Sequence, residues 1–144
     1  MPQMHTTNYQ NTFITAAPDS PVDHSVVPAM RGESAPAHLI VHELLSAHPY
    51  TFSGDELLFQ THVRRLGLSQ DEIAARRDEL WHGLFSKPQA CLRASALAKK
   101  YGWGFHFDAQ GRIALYAMES DFYRAMSGGA NGVTVLAAMR SKRE

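Results

Sequence analysis

The feature that most restricts the fold is a run of alternating aromatic residues that begins at Trp103. Trp103, Phe105 and Phe107 alternate with small or polar residues, and a period of two is typical of a strand with one buried face. Residues 108–111, Asp-Ala-Gln-Gly, have the composition of a turn, and apolar residues continue the alternation over 113–117. The sequence therefore predicts a β-hairpin at this place.

Two further segments are predicted to be strands. Residues 11–16 are rich in β-forming side chains and are stopped by Pro18, and we expect this strand at an edge of the sheet. Residues 133–139 are compatible with a strand or a helix, and the run Val-Thr-Val at their start favours a strand.

Helical spacing and capping residues predict the helices. Ile40, Val41, Leu44 and Leu45 share one face of a helix over 37–47.

Ser53-Gly-Asp-Glu56 and Ser69-Gln-Asp-Glu72 match capping boxes that would open a second and a third helix, and Gly67 would end the second. The third helix is expected to bury Ile73, Leu80, Trp81 and Leu84. Shorter helices are predicted over 95–101 and 120–126, each opened by a serine.

Together these elements predict an α+β fold. We expect a small antiparallel sheet that includes the hairpin over about 103–118 and is covered by about three main helices. The 144 residues correspond to a single domain of ordinary size, 1–144. Residues 18–36 contain four prolines without any period, so an irregular surface connection is expected there.

Charge and cysteine content argue against several partner classes. The 14 basic and 14 acidic residues cancel, so neither nucleic acid nor a membrane is expected as a partner. Residues 1–60 hold one basic and six acidic side chains, and residues 61–144 hold 13 and eight. This polarity indicates either complementary halves or a basic anion site.

A single cysteine, Cys91, and the lack of a long apolar segment favour a cytoplasmic location.

The histidines form no closed metal site in the sequence. His38 and His42 have ligand spacing, but Ser46 stands where the zinc-protease helix motif has its second histidine. We interpret both as residues of a solvated helix face opposite the apolar one, and we expect neither metal nor cofactor. His62 lies among apolar residues of the second helix, where it is either a hydrogen-bonded core histidine or a functional acid or base.

The stretch from Lys87 to Arg112 is the most suggestive for function. Its basic residues are interleaved with aromatic ones, a combination that suits a nucleotide or another flat anionic ligand; the alternative is that the aromatic side chains only fill the core. Arg93, Ser95 and Lys99 are the predicted ligand-binding residues, because Ser95 would cap a short helix whose free amides follow Arg93.

These observations favour a small-ligand binding or interaction module without catalysis, with an anionic or nucleotide-like ligand. No set of nucleophile, base and metal assembles from spacing alone. The alternative is an enzyme that acts on a small anionic substrate. In that case Arg93 would hold the anion, His106 would move a proton, and Cys91 and Ser95 would complete the site.

Several motifs resemble one family of small proteins described only as a domain of unknown function. They are Met-His-Thr-Thr-Asn-Tyr at 4–9, Cys-Leu-Arg-Ala-Ser at 91–95, Tyr-Gly-Trp-Gly at 101–104 and Met-Arg-Ser-Lys-Arg at 139–143. These motifs span nearly the whole chain, although Ala96 stands where proline is expected. The resemblance implies membership of that family and no particular activity, cofactor or partner.

Overall fold

The computed structural model describes residues 9–30, 32–33, 35–87 and 92–139 and shows the α+β fold that the sequence predicts. The strands are β1 (Thr12–Thr15), β2 (Trp103–Phe107), β3 (Ile113–Ala117) and β4 (Thr134–Ala137). The α-helices in these ranges are α1 (Ala37–Ala47), α2 (Gly54–Leu66), α3 (Gln70–Ala75), α4 (Arg77–Phe85), α5 (Ala96–Lys100) and α6 (Asp121–Ser127). A short 3-10 turn, Leu92–Ala94, precedes α5.

The four strands form one mixed sheet in the order β3-β2-β1-β4. β2 and β3 form the predicted hairpin, with Trp103 opposite Ala117. β1 is antiparallel to β2, but β4 is parallel to β1. The prediction of an antiparallel sheet is therefore wrong at β4, and β1 is a central strand rather than an edge. The reason is that β3 and β4 run in the same direction, which requires a crossover connection, and α6 lies in that connection.

The predicted capping residues begin α2 and α3 and end α2. The hydroxyls of Ser53 and Ser69 accept hydrogen bonds from the amides of Glu56 and Glu72. At Ser69 the reciprocal capping box is complete. Gly67 ends α2 in the left-handed conformation, at φ 71°, which glycine adopts without steric strain.

The predicted third helix is in fact two helices. The chain leaves helical geometry at Arg76, where φ is −117° and ψ is 17°, so α3 ends and α4 begins there. Beyond the break, Leu80 joins a small cluster of buried apolar residues with Phe59 of α2. The guanidinium of Arg77 lies 4.8 Å from the ring centre of Phe59 and 5.5 Å from that of Trp81. Packing against α2 therefore outweighs the local preference for one continuous helix.

The main core lies on one face of the sheet, called here the inner face. Ile14 of β1 and Phe105 and Phe107 of β2 point to this face and are fully buried. They form one cluster with apolar residues of α1, α2 and α5: Ile40, Val41, Leu44, Leu45, Leu57, Leu97 and Ala98. Burial of each large apolar side chain contributes roughly 1.5–3 kcal/mol, so this face fixes the orientation of β2.

The sequence predicted that the two histidines of α1 lie on a solvated face, and this prediction is wrong. The ring of His38 stacks on Tyr101 with centres 5.0 Å apart, and the ring of His42 meets Trp103 edge-on at 4.8 Å. Burial lowers the pKa of His42. The prediction fails because the end of α5 and the start of β2 cover this side of α1.

Candidate functional site

The opposite, outer face of the sheet carries polar aromatic rings. Because side chains alternate along a strand, Gly104 and His106 lie on the outer face. The buried phenylalanines of β2 point to the inner face. His106 lies opposite Phe13 of β1 and Ala114 of β3. Helix α6 covers this face, and the ring centre of Phe122 lies 5.3 Å from that of His106.

Gly104 allows α6 to lie close to the sheet. A Cβ atom at this position would lie 2.7 Å from ring atoms of both Phe13 and Tyr123. The Tyr123 hydroxyl accepts a hydrogen bond from the amide of Ala16 at 2.8 Å, and burial raises the pKa of Tyr123. A glycine inside a strand often marks such a close approach.

Three polar side chains form a continuous hydrogen-bonded chain beside these rings. The hydroxyl of Tyr50 lies 2.8 Å from Nδ1 of His106 and 2.8 Å from the hydroxyl of Tyr116. Two proton arrangements satisfy both contacts. In one, Tyr50 donates to His106 and accepts from Tyr116; in the other, it donates to Tyr116 and accepts from His106.

Partial burial favours the neutral forms of Tyr50 and His106. Burial, reinforced by the hydrogen bond to Tyr116, raises the pKa of Tyr50. Burial also lowers the pKa of His106 below its ordinary value of 6.5, although the nearby carboxylate of Asp108 acts in the opposite direction. The imidazole of His106 is therefore mainly neutral near pH 7, with one nitrogen that carries a proton and one that does not.

His106 also lines a pocket of about 210 Å³. The pocket is bounded by Asn11, His106, Asp108, Ala109, Met126, Asn131 and Val133. Within the described ranges, Nε2 of His106 makes no hydrogen bond to the protein. The Oδ1 atom of Asp108 accepts hydrogen bonds from the amides of Gln110 and Arg112 at 3.0 and 2.9 Å. A histidine, an aspartate and two asparagines thus border one small space.

Three residues around this site have an unusual backbone conformation. Asn11 (φ 49°), Tyr50 (φ 57°) and Asn131 (φ 59°) are the non-glycine residues with positive φ among those described. Asparagine tolerates this region, whereas a tyrosine there stores roughly 1–3 kcal/mol of strain. The amide of Tyr50 donates to the carbonyl of Ile113 at 2.8 Å, which ties the strained residue to β3.

Arg93, a predicted ligand-binding residue, is engaged at the far side of the sheet. Its Nε donates to the main-chain oxygen of Ala137 at 2.8 Å. Its own carbonyl accepts a hydrogen bond from the amide of Met139 at 2.8 Å. The guanidinium is therefore used, at least in part, to hold the Leu92–Ala94 turn against the end of β4.

The other predicted site residues do not all come together. Ser95 caps α5, as expected, and its hydroxyl accepts a hydrogen bond from the amide of Leu97 at 3.3 Å. Lys99 lies in the last turn of the same short helix. This helix packs on the inner face, whereas His106 lies on the outer face, so the structure does not bring His106 to Arg93 and Ser95. Cys91 lies outside the described residues.

Sequence reasoning identified His106 but missed its two tyrosine partners. The register of the hairpin could have indicated Tyr116, because it lies opposite Gly104 and so shares the outer face with His106. Tyr50 is 56 residues from His106 in the chain and lies in the loop between α1 and α2. No local pattern marks it.

The described residues contain no group of three or more histidine, cysteine, aspartate or glutamate side chains that could hold a metal ion. None of the helices in this part of the chain has the length and apolar character required to cross a membrane.

His62, on α2, is half-buried and borders a cleft between α1, α2 and α4.

Comparison with known proteins gives one match. Residues 4–144 match the model of a family described as a family of unknown function, DUF6157. No curated protein and no solved structure matches the chain. The description of the family carries no activity.

Proposed function

We propose that this chain, which belongs to the family of unknown function DUF6157, is a small-ligand-binding protein. Its ligand occupies the pocket beside His106. The observation that carries this proposal is the convergence of Asn11, Tyr50 and Asn131, all at positive φ, on one half-buried histidine. Of the three, Tyr50 is the strained residue, and strained residues persist only where the surrounding structure holds them, often at binding sites.

The hydrogen-bonded chain makes His106 an adaptable ligand contact. When Tyr50 donates to Nδ1, the neutral ring carries its proton on Nε2 and offers a donor to the pocket. When Nδ1 donates to Tyr50, Nε2 offers an acceptor instead. Tyr116 completes either arrangement without leaving a polar group unpaired, so the site can match the ligand by reversing the chain.

The charge and size of the pocket narrow the class of ligand. The Asp108 carboxylate borders the pocket, so an added anion would meet a like charge while the neutral His106 offers no compensation. A volume of about 210 Å³ is smaller than that of typical drug-sized sites. A small uncharged or cationic molecule with hydroxyl or amino donors, such as a polyol, an amino alcohol or a monosaccharide, fits these properties.

The anionic ligand expected at Arg93, Ser95 and Lys99 stays a prediction for the other side of the molecule. There Arg93 would have to bind an anion with the nitrogens that do not contact Ala137. The enzyme alternative requires His106 in the same cleft as Arg93 and Ser95, and these residues lie on two sides of the sheet. We therefore propose binding and no catalytic step.

A thermal-shift screen of polyols, amino alcohols and monosaccharides tests the proposal. A ligand at about 100 times its dissociation constant adds roughly 2.7 kcal/mol to the free energy of unfolding, which raises the melting temperature by several degrees in a chain of this size. We expect His106→Gln to remove the shift and Tyr50→Phe to reduce it.

His42→Gln is the matched control. His42 is also half-buried, with its pKa lowered by burial, but it packs on Trp103 at the inner side of the sheet. It should therefore keep the full shift. A shift that survives in His106→Gln, or a screen in which only anions stabilise the protein, would contradict the proposal.

A further inference from the structure

An unassigned cleft follows one side of α2. Leu58, Thr61, His62 and Arg65 are spaced so that they form a single stripe on the helix surface. The stripe borders two neighbouring pockets of about 260 and 390 Å³, both of which are lined by Ala37, Leu58 and Thr61. Because they share these residues, the two pockets are adjacent, and together they are called the cleft here.

The end of the cleft near α5 is apolar. Its lining there consists of Ala37, Val41, Leu58, Leu92, Ala94 and Ala96, with His38, Thr61 and Ser95 as the polar members. The hydroxyl of Thr61 donates to the carbonyl of Leu57 at 2.8 Å, and that of Ser95 accepts from the amide of Leu97. These hydroxyls are already used within their own helices, so this end suits a hydrocarbon group.

The other end of the cleft is basic. Arg65 and His62 line it beside Leu66. Within the described part of the chain, the side chain of Arg65 makes no ion pair or hydrogen bond. Its neighbour Arg64, in contrast, is paired with Glu43 at 3.0 Å. Arg65 therefore places a positive charge, without an ion pair among the described residues, at the mouth of an apolar space.

We propose that this cleft binds a medium-chain fatty acid, with its carboxylate at Arg65 and its alkyl chain directed towards α5. The distance along α2 from Leu58 to Leu66 is about 12 Å at 1.5 Å per residue, which suits an acyl chain such as that of decanoate. Glu33 borders a further pocket together with Arg64 and Arg65, but it does not line this cleft. The site is separate from the pocket beside His106 and does not depend on it.

Isothermal titration of the full chain with decanoate, below its micelle concentration, tests this site. We expect saturable binding to one site. Octanoate should bind roughly fifteenfold more weakly, because each methylene group transferred from water changes the affinity about fourfold. Arg65→Gln should weaken decanoate binding about tenfold, as expected for loss of one charge-assisted contact. Arg64→Gln is the matched control and should change little.

Leu58→Trp supplies a second variant, because the larger side chain should fill the middle of the cleft and block decanoate. The proposal is overturned if binding is absent, if Arg64→Gln and Arg65→Gln have equal effects, or if the folded Leu58→Trp variant binds as before. His106→Gln should bind decanoate normally. Loss of binding in that variant would place the fatty acid in the pocket beside His106 and would overturn the separate site while leaving that pocket in use.

Discussion

The two faces of the sheet carry different kinds of side chain on the same strands. On the inner face, Phe105 and Phe107 are fully buried among apolar side chains of the helices. On the outer face, His106 is only half-buried and reaches Tyr116 through the hydroxyl of Tyr50. Successive residues of β2 therefore divide between the closed core and the site for which we propose ligand binding, and changes at neighbouring positions should have different consequences.

The largest expected effect is on the inner face. Phe105→Ala should lower the free energy of unfolding by about 3–5 kcal/mol, because it leaves a cavity in a closed core. His106→Ala, one residue further along β2, should lower it much less, because its ring is partly solvated and borders an existing pocket. Urea denaturation of both variants measures the difference, and equal losses would break the comparison.

Gly104→Ala should give the next largest effect and would show how closely α6 lies on the outer face. The added methyl group would lie 2.7 Å from the rings of Phe13 and Tyr123, and such overpacking lowers the free energy of unfolding by about 1–3 kcal/mol. Gly83→Ala is the control. A Cβ atom on Gly83, at an exposed position of α4, meets no atom within 4 Å, so that substitution should stabilise the protein by up to about 1 kcal/mol.

Tyr50→Phe should have a smaller effect on stability. It removes the hydroxyl that contacts both His106 and Tyr116, and a lost hydrogen bond changes the free energy of unfolding by about 0.5–1.5 kcal/mol. Tyr101→Phe is a suitable comparison, since no hydrogen bond of its hydroxyl occurs within the described ranges. If chemical denaturation shows the same change for both variants, the hydroxyl of Tyr50 has no particular structural role.

The smallest expected effect concerns pH. Burial lowers the pKa of His106 and that of His42 below the ordinary value of 6.5, so below about pH 6.5 the unfolded chain binds more protons than the folded one. The stability that each neutral imidazole contributes is present above that pH and is lost as pH falls through the folded pKa.

Urea midpoints measured from pH 8 to pH 5 test this dependence. His106→Gln and His42→Gln should each flatten the decline, and their effects should add, because the two rings lie on different sides of the sheet. A decline that is unchanged in both variants would show that other groups govern the response to acid.

Local patterns predicted the elements of this fold well, and its assembly less well. The alternation at Trp103–Phe107 and the caps at Ser53 and Ser69 depend on neighbouring residues, and the structure confirms them. The parallel pairing of β4 with β1 depends on a crossover that no local pattern specifies. Likewise, Tyr50 reaches His106 because the loop that follows α1 packs against β3, and no local pattern specifies that packing.

The contact between Arg93 and β4 also affects how the molecule behaves among its own copies. β4 is an apolar edge strand without charge or proline, and such edges invite pairing with strands of other chains. The amides of Thr134 and Ala138 are bonded to β1, so the intervening Ala137 directs its carbonyl away from the sheet, where Nε of Arg93 occupies it. We therefore expect Arg93 to obstruct strand addition at this end of β4 and so to oppose edge-to-edge aggregation.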